Sequence, residues 1–299
     1  MIKNIIKKYS SLLLVVSCFT VEAQESKLQP TIAQHFDIGG FKLYLECYEN
    51  NKPMLILEQG FGRYGSDGVW LKNIEKLQNE YSVCLYDRSG LGKSEQGPIP
   101  FTVNDMAATL KKLLETADIK GPYYLAGGSY ASHILRAYNH LYSQDVLGAV
   151  LIDPPALGYF KTMASRWPEN FQTDNKQLKR LYEFEQTVRD PLFKRVPEKV
   201  DHLKSYQQLV NSSNFGDKPV ITIRSKQVDE PYDAPFVPKE IAGVMDKFMA
   251  GAEAYFKGLS TNSVVIYSQS DKHHLHIADP ELVVKSILDL KQMKNKDTE

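Results

Sequence analysis

Five consecutive residues, Gly127-Gly128-Ser129-Tyr130-Ala131, are of the types and spacing that can present a reactive hydroxyl. A short apolar run, Pro122 to Ala126, precedes them, and an amphipathic segment beginning Ser132-His133-Ile134-Leu135 follows. A serine in a small-x-Ser-x-small turn between a strand and a helix is held on a sharp bend. Its neighbours must be small because strand and helix close around it. Such a serine is a poor nucleophile near neutral pH unless a base stands within hydrogen-bond reach. Candidate bases cluster far along the chain at His273, His274 and His276. His133 and His140 lie on the helix after the turn and, like His35 and His202, read as packing or surface histidines.

The elements that must bring these groups together follow a repeating order. Phe36–Ile38 and Phe41–Tyr48 read as a hairpin turning at Gly39-Gly40. Met54–Glu58 and Tyr81–Tyr86 are short apolar strands, and Val103–Ala117 carries Met106, Leu110, Leu113 and Leu114 at helical spacing. Strand Tyr123–Ala126, helix Tyr130–Tyr142 and strand Leu147–Ile152 follow. After a polar stretch the alternation resumes with strand Pro219–Ile223, a helix over Lys239–Phe256, strand Ser263–Tyr267 and helix Pro280–Lys291, capped by Asp279. Helices alternating with continuous apolar strands imply an α/β class, a mostly parallel central sheet flanked by helices. Function in such sheets gathers at the carboxyl ends of the strands. Gly60, Asp87, Ser129 and Asp153 all fall just after strands and should share one rim. The aromatic-rich stretch 156–215 interrupts the alternation and reads as an inserted helical cap above that rim, with Trp167 among the groups expected to line a pocket.

The chain has 299 residues, with 36 basic against 36 acidic side chains. That balance gives no reason to expect a nucleic-acid partner. Lys3, Lys7 and Lys8 precede a short apolar run from Leu12 to Thr20, and Val21-Glu22-Ala23 has small residues at the positions a signal peptidase reads. The expectation is an export signal over 1–23 and one α/β domain over 24–299. Val15-Val16-Ser17-Cys18 offers an alternative, a lipoprotein box lipidated at Cys18. No later segment is apolar for long enough to span a membrane. Cys47 and Cys84 lie in apparent strands and read as two buried thiols, with a disulfide as the alternative that export permits. No metal-ligand spacing and no phosphate-binding loop is present, so neither metal nor organic cofactor is implied.

Several motifs in sequence resemble the α/β-hydrolase superfamily from about Phe36 to Leu290. The resemblance is closest to the branch with Leu-Glu-x-Gly-x-Gly after the third strand (Leu57 to Gly62) and Tyr-Asp-Arg-x-Gly-x-Gly-x-Ser (Tyr86 to Ser94). A Gly-Pro-Tyr-x-Leu run (Gly121 to Leu125) leads into the serine turn, and His273 is followed seven residues later by Pro280. The resemblance implies Ser129 as nucleophile and His273 as base. It implies an acid between them in the chain. Some lipases of this fold carry their acid where Asp153 stands; most members carry it after the next strand, but that loop lacks the usual Gly-x-x-Asp spacing here, so Asp153 is favoured. Asp229, Glu230 and Asp233, after the next strand, remain open. It further implies an oxyanion hole from the backbone N–H groups of Phe61 and Tyr130, with Gly60 and Gly62 letting that loop approach the substrate. Asp87 and Arg88 read as architectural. Two departures stand out: Gly128 precedes the serine, and Gln59 precedes the loop glycine, where relatives often have His. The implied function is a serine hydrolase for a small-molecule carboxylic ester or lactone, with detoxification of a compound such as a macrolide antibiotic as an analogy. The alternative is a ligand-binding protein on the same scaffold with little turnover, and a lyase of the fold is a third reading. Aspartate-dependent dehalogenases and epoxide hydrolases are disfavoured by Ser129.

Overall fold

The computed structural model describes residues 28–193, 198–227 and 230–295. The expected leader, Cys18 and Asp229 lie outside the described residues. Strands β1 (Ile32–Asp37), β2 (Lys42–Tyr48), β3 (Met54–Glu58), β4 (Ser82–Tyr86), β5 (Tyr123–Gly128), β6 (Val146–Ile152), β7 (Val220–Arg224) and β8 (Ser263–Tyr267) form one sheet. Its order is β1-β2-β4-β3-β5-β6-β7-β8. The β1–β2 and β2–β4 pairs are antiparallel, and every pair from β4 to β8 is parallel. The chain is thus a hairpin laid on the edge of a parallel sheet.

Side chains alternate across the central strands, as a two-residue period requires. Leu55 and Leu57 of β3 enter one core with Val150, Ile152, Ile221 and Ile223, while Ile56 enters the other with Leu125, Ala149 and Leu151. Two helical layers cover these faces. Helices α1 (Leu71–Leu77) and α10 (Pro280–Asn295) supply Ile74, Leu77, Val283 and Ile287 to the first core. Helices α2 (Val103–Thr116) and α3 (Ala131–Leu141) supply Leu110, Leu113, Ile134 and Leu135 to the second. All eight of these helical side chains are fully buried. Each such residue contributes roughly 1.5–3 kcal/mol by leaving water. Thr102 begins α2 with a reciprocal capping box to Asp105.

Strand β1 begins at Ile32, four residues before the sequence reading places it, because it is an edge strand whose residues are mostly exposed and polar. Its pairing rests on backbone bonds rather than on an apolar pattern. Helix α1 has only seven residues and was not anticipated. The helix expected over 239–256 divides into α7 (Lys239–Ala250) and α8 (Ala252–Lys257) at Gly251, a poor helix former. Cys47 and Cys84, read as thiols, form a disulfide: they are register partners across β2 and β4 with Cα atoms 4.1 Å apart. Strand assignment alone could not reveal that they face each other.

Between β6 and β7 the chain forms α4 (Tyr159–Ser165), α5 (Lys176–Gln186) and α6 (His202–Val210). Two small cores pack this insertion, one of them against the segment after β7. One joins Trp167 and Leu178 to Val237 and Ile241, and another joins Ala164, Val188 and Phe193. The four-residue helix α9 (Leu275–Ala278) lies between β8 and α10.

Candidate active site

Backbone bonds at the ends of neighbouring strands build the rim. Ser129 N–H donates to Ile152 O at 2.8 Å, Asp153 N–H to Ile223 O at 2.7 Å, and Ser268 N–H to Arg224 O at 2.9 Å. Parallel pairing therefore carries position 129 next to 153, and 153 next to the segment after β7. Ser129 and Asp153 both leave their strands in the left-handed region, with φ of 56° and 43°. Strain of this kind in non-glycine residues persists only where surrounding structure enforces it. Gly127 has no room for a side chain, since a Cβ there would meet Ala131 Cβ at 2.6 Å. The serine turn is tight for the reason its composition suggested.

His273 Nδ1 lies 2.7 Å from Asp153 Oδ2. The other oxygen of Asp153 accepts Ser225 N–H at 2.9 Å. Burial pushes the Asp153 carboxyl up, but the bonds from His273 and Ser225 outweigh it and hold its pKa below the ordinary value. An ionised carboxylate only accepts, so Nδ1 carries the proton and Nε2 is left as the basic nitrogen. Among the described residues no hydrogen bond involves Nε2 of His273, and none joins it to Ser129 Oγ. The bond between nucleophile and base is often long or poorly aligned when no substrate is bound. The His273 side chain is 50% exposed and Asp153 12% exposed.

The loop after β3 lies against the serine. A Cβ on Gly60 would meet Ser129 Cβ at 3.1 Å, a tight contact that glycine avoids. The Phe61 ring stacks on Tyr130 at 3.8 Å between centroids. The N–H groups of Phe61 and Tyr130 have no acceptor among the described residues. Gly62 takes φ of 68°, and its N–H donates to Glu198.

The other candidates are engaged elsewhere. Asp233 pairs with Arg166, which also holds Glu185 through Nε at 2.8 Å and Nη2 at 2.6 Å. Glu230 is exposed. Trp167, expected to face a pocket, is 8% exposed, donates Nε1–H to Glu185 at 2.7 Å and packs on Phe171 and Tyr182. Its large apolar ring is used to close the core of the insertion.

His276 is no rival to His273. It is buried, stacks on Trp70 at 4.6 Å, and neither ring nitrogen has a partner among the described residues. Burial, then His274 and Arg63, push its pKa down to about 3, so the ring is neutral. Its Nδ1 would stand 3.6 Å from a Cβ on Gly128. The imidazole from α9 therefore borders the small residue before Ser129. His133 and His202 are likewise buried, with burial the main cause of pKa values near 3.

Beneath the loop lie Arg88, expected to be architectural, and two carboxylates, Glu58 and Glu198, to which the sequence reading gave no role. Arg88, fully enclosed, donates Nη1–H to Glu58 at 2.5 Å and Nε–H to Glu198 at 3.0 Å. Burial works against its charge, but Glu198 and Glu58 outweigh that and raise its pKa. Nothing in the polar stretch around Glu198 distinguishes it from its solvated neighbours. Asp87 is architectural, accepting Ser66 N–H and Lys93 N–H at 2.8 Å each. Among the described residues, no cluster of three or more His, Cys, Asp or Glu could hold a metal ion, and no helix is long and apolar enough to cross a membrane.

Comparison with known proteins agrees with the topology. An uncharacterised protein of Bacillus subtilis (strain 168), YqjL, is 25% identical over 236 residues, covering 79% of this chain and 82% of that one. Among solved structures, mouse alpha/beta hydrolase domain-containing protein 10 has a TM-score of 0.60 at 16% identity, covering 87% of this chain and 98% of its own. A thermophilic esterase from Thermogutta terrifontis has a TM-score of 0.52 at 18% identity, covering 89% and 99%. The family model for the alpha/beta hydrolase fold matches residues 52–214, more than half of the sequence. With the strand order and the serine turn at the end of β5, this chain belongs to the α/β-hydrolase fold family.

Proposed function

We propose that this protein is a serine hydrolase that cleaves a carboxylic ester or lactone through an acyl-enzyme. The observation that carries the reading is the 2.7 Å bond between His273 Nδ1 and Asp153 Oδ2, on the rim that also bears the left-handed Ser129. In the first half-reaction His273 Nε2 takes the Ser129 proton as Oγ attacks the carbonyl carbon. Asp153 keeps the imidazole in the required tautomer and stabilises the imidazolium without accepting its proton. The negative oxygen of the tetrahedral intermediate is met by the N–H groups of Phe61 and Tyr130, and each such donor is worth on the order of 10²–10³ in rate. The imidazolium then protonates the leaving alkoxide. In the second half-reaction His273 draws a proton from water as hydroxide adds to the acyl carbonyl, and the imidazolium returns a proton to Ser129 Oγ as it leaves. Nothing in this sequence of steps calls for a metal or a redox group.

The half-exposed His273 suits a small-molecule substrate arriving from solvent, and short esters, long esters, lactones and macrolides form the screen that would separate substrate classes. We further propose that the protein acts after export, a reading supported by the Lys3–Ala23 leader pattern and compatible with the Cys47–Cys84 disulfide. Turnover of a chromogenic acyl ester by wild type and Ser129→Ala tests the reaction. The expected loss is on the order of 10⁴–10⁶-fold. Equal turnover by the two proteins refutes the mechanism. Absence of labelling of folded wild type by a fluorophosphonate favours the ligand-binding alternative.

A further inference from the structure

Three buried charged side chains hold five backbone groups of the loop after β3. Arg88 Nη1 donates to Gln59 O at 2.6 Å, and Nη2 donates to Gly60 O at 2.7 Å and Arg63 O at 3.4 Å. Glu58 Oε1 accepts Gln59 N–H at 2.9 Å, and Glu198 Oε2 accepts Gly62 N–H at 2.9 Å. Gly60 O and Phe61 N–H belong to one peptide unit. In a trans peptide they point in opposite directions, so a guanidinium gripping the oxygen aims the N–H away from itself. The next unit, from Phe61 to Gly62, is held through its N–H by Glu198. Both peptides flanking Phe61 Cα are therefore fixed, while the Phe61 N–H keeps no protein acceptor among the described residues.

The origins of these groups differ. Glu58 ends β3, and Arg88 follows β4 of the sheet. Glu198 comes from the insertion, 136 residues beyond Gly62, and is 1% exposed. Its anchorage there is short: Phe101 N–H donates to Lys199 O at 3.0 Å, and Asp201 N–H donates to Phe101 O at 2.9 Å. The same residue that neutralises Arg88 thus also ties the base of the insertion to the loop.

We propose that Glu198 and Arg88 are positioning residues that lock the peptides on either side of Phe61, so that the oxyanion donor is aligned only while the base of the insertion is docked. This inference rests on the reading of Phe61 as an oxyanion donor. It makes part of the catalytic geometry depend on a residue outside the rim.

Glu198→Gln tests it, because Gln keeps the shape and one acceptor oxygen but loses the charge shared with Arg88. Active sites are titrated with a fluorophosphonate, and ester hydrolysis is measured per labelled site. The expected result is a fall in kcat on the order of 10–100-fold with KM changed by less than about threefold. Inhibition by an aryl boronic acid, which forms a tetrahedral adduct on serine, should weaken by a similar factor. A purely structural role would lower the labelled fraction and leave kcat per site unchanged, and that result overturns the inference. Hydrogen exchange on wild type gives a second test that needs no variant. The Gly62 amide should be protected and the Phe61 amide should exchange freely. Fast exchange at Gly62 also overturns the proposal. If folded wild type takes no label and turns over no ester, it is the underlying reading that fails.

Discussion

Asp153 with His273 and Glu185 with Arg166 each pair a carboxylate with a nitrogen cation or base, and they are built to opposite ends. In the second cluster every charged side chain is at most 5% exposed, and Arg166 is saturated by Glu185 and Asp233. In the first, the imidazole is 50% exposed, the carboxylate sits at a left-handed φ, and Nε2 has no partner among the described residues. A saturated, buried cluster resists any change of protonation, since breaking it strands a charge away from water. Both join a carboxylate to a nitrogen-bearing side chain, and what separates them is spare hydrogen-bonding capacity.

The sharpest way to break this comparison is to neutralise one carboxylate in each cluster. Asp153→Asn should cut kcat on the order of 10³–10⁴-fold while the fold is retained, since Asn can still accept Ser225 N–H. Asp233→Asn should leave ester hydrolysis within about threefold of wild type and cost about 1–3 kcal/mol of stability, read from a denaturant titration. An active Asp153→Asn enzyme, or a dead but folded Asp233→Asn enzyme, reverses the assignment.

A smaller effect is expected beside the serine. Gly128→Ala puts a Cβ in ordinary contact with His276 and should be nearly neutral in rate. Gly128→His must displace the His276 ring from Trp70 and should lower kcat on the order of tenfold or more. Adding His276→Ala should recover part of that loss. Purely additive rate effects in the double variant would show that the two side chains do not compete for space.

The mildest intervention is pH. His133, His202 and His276 have folded pKa values near 3, below the ordinary 6.5. Between those values the unfolded chain binds more protons than the folded one, so stability falls as pH drops below about 6.5. Each histidine contributes up to about 1.4 kcal/mol per pH unit to that slope. The depressed Asp153 pKa adds a further loss only below its unfolded value of 3.8. His276→Phe, which keeps the stack on Trp70, should flatten the decline of Tm between pH 6.5 and 4. An unchanged slope would mean that the imidazole reaches solvent when protonated.

Much of the fold was legible because its strands carry their burial pattern in sequence. Ser263–Tyr267 and the helix starting at Val103 agree with expectation at the residue level. The first four residues of edge strand β1 and the short helix α1 were not, since neither has the sustained apolar period that reading depends on. Of the site, Ser129 was visible through its small neighbours, and Asp153 and His273 through their places after strands. Trp167 misled because an aromatic ring in a polar segment signals burial without saying against what. Glu198 carried no signal at all.

The sequence by itself determined the alternation of strand and helix and the glycines around position 129, because these depend on local period and local crowding. It also determined the order Ser, Asp, His along the chain. The tertiary structure alone decided that Cys47 faces Cys84, that Asp153 rather than Asp233 meets His273, that His276 borders Gly128, and that Glu198 reaches Gly62. Each of those is a contact between residues dozens to more than a hundred positions apart. Such contacts are set by strand order and by how the insertion packs, and no local pattern of residue types encodes that geometry.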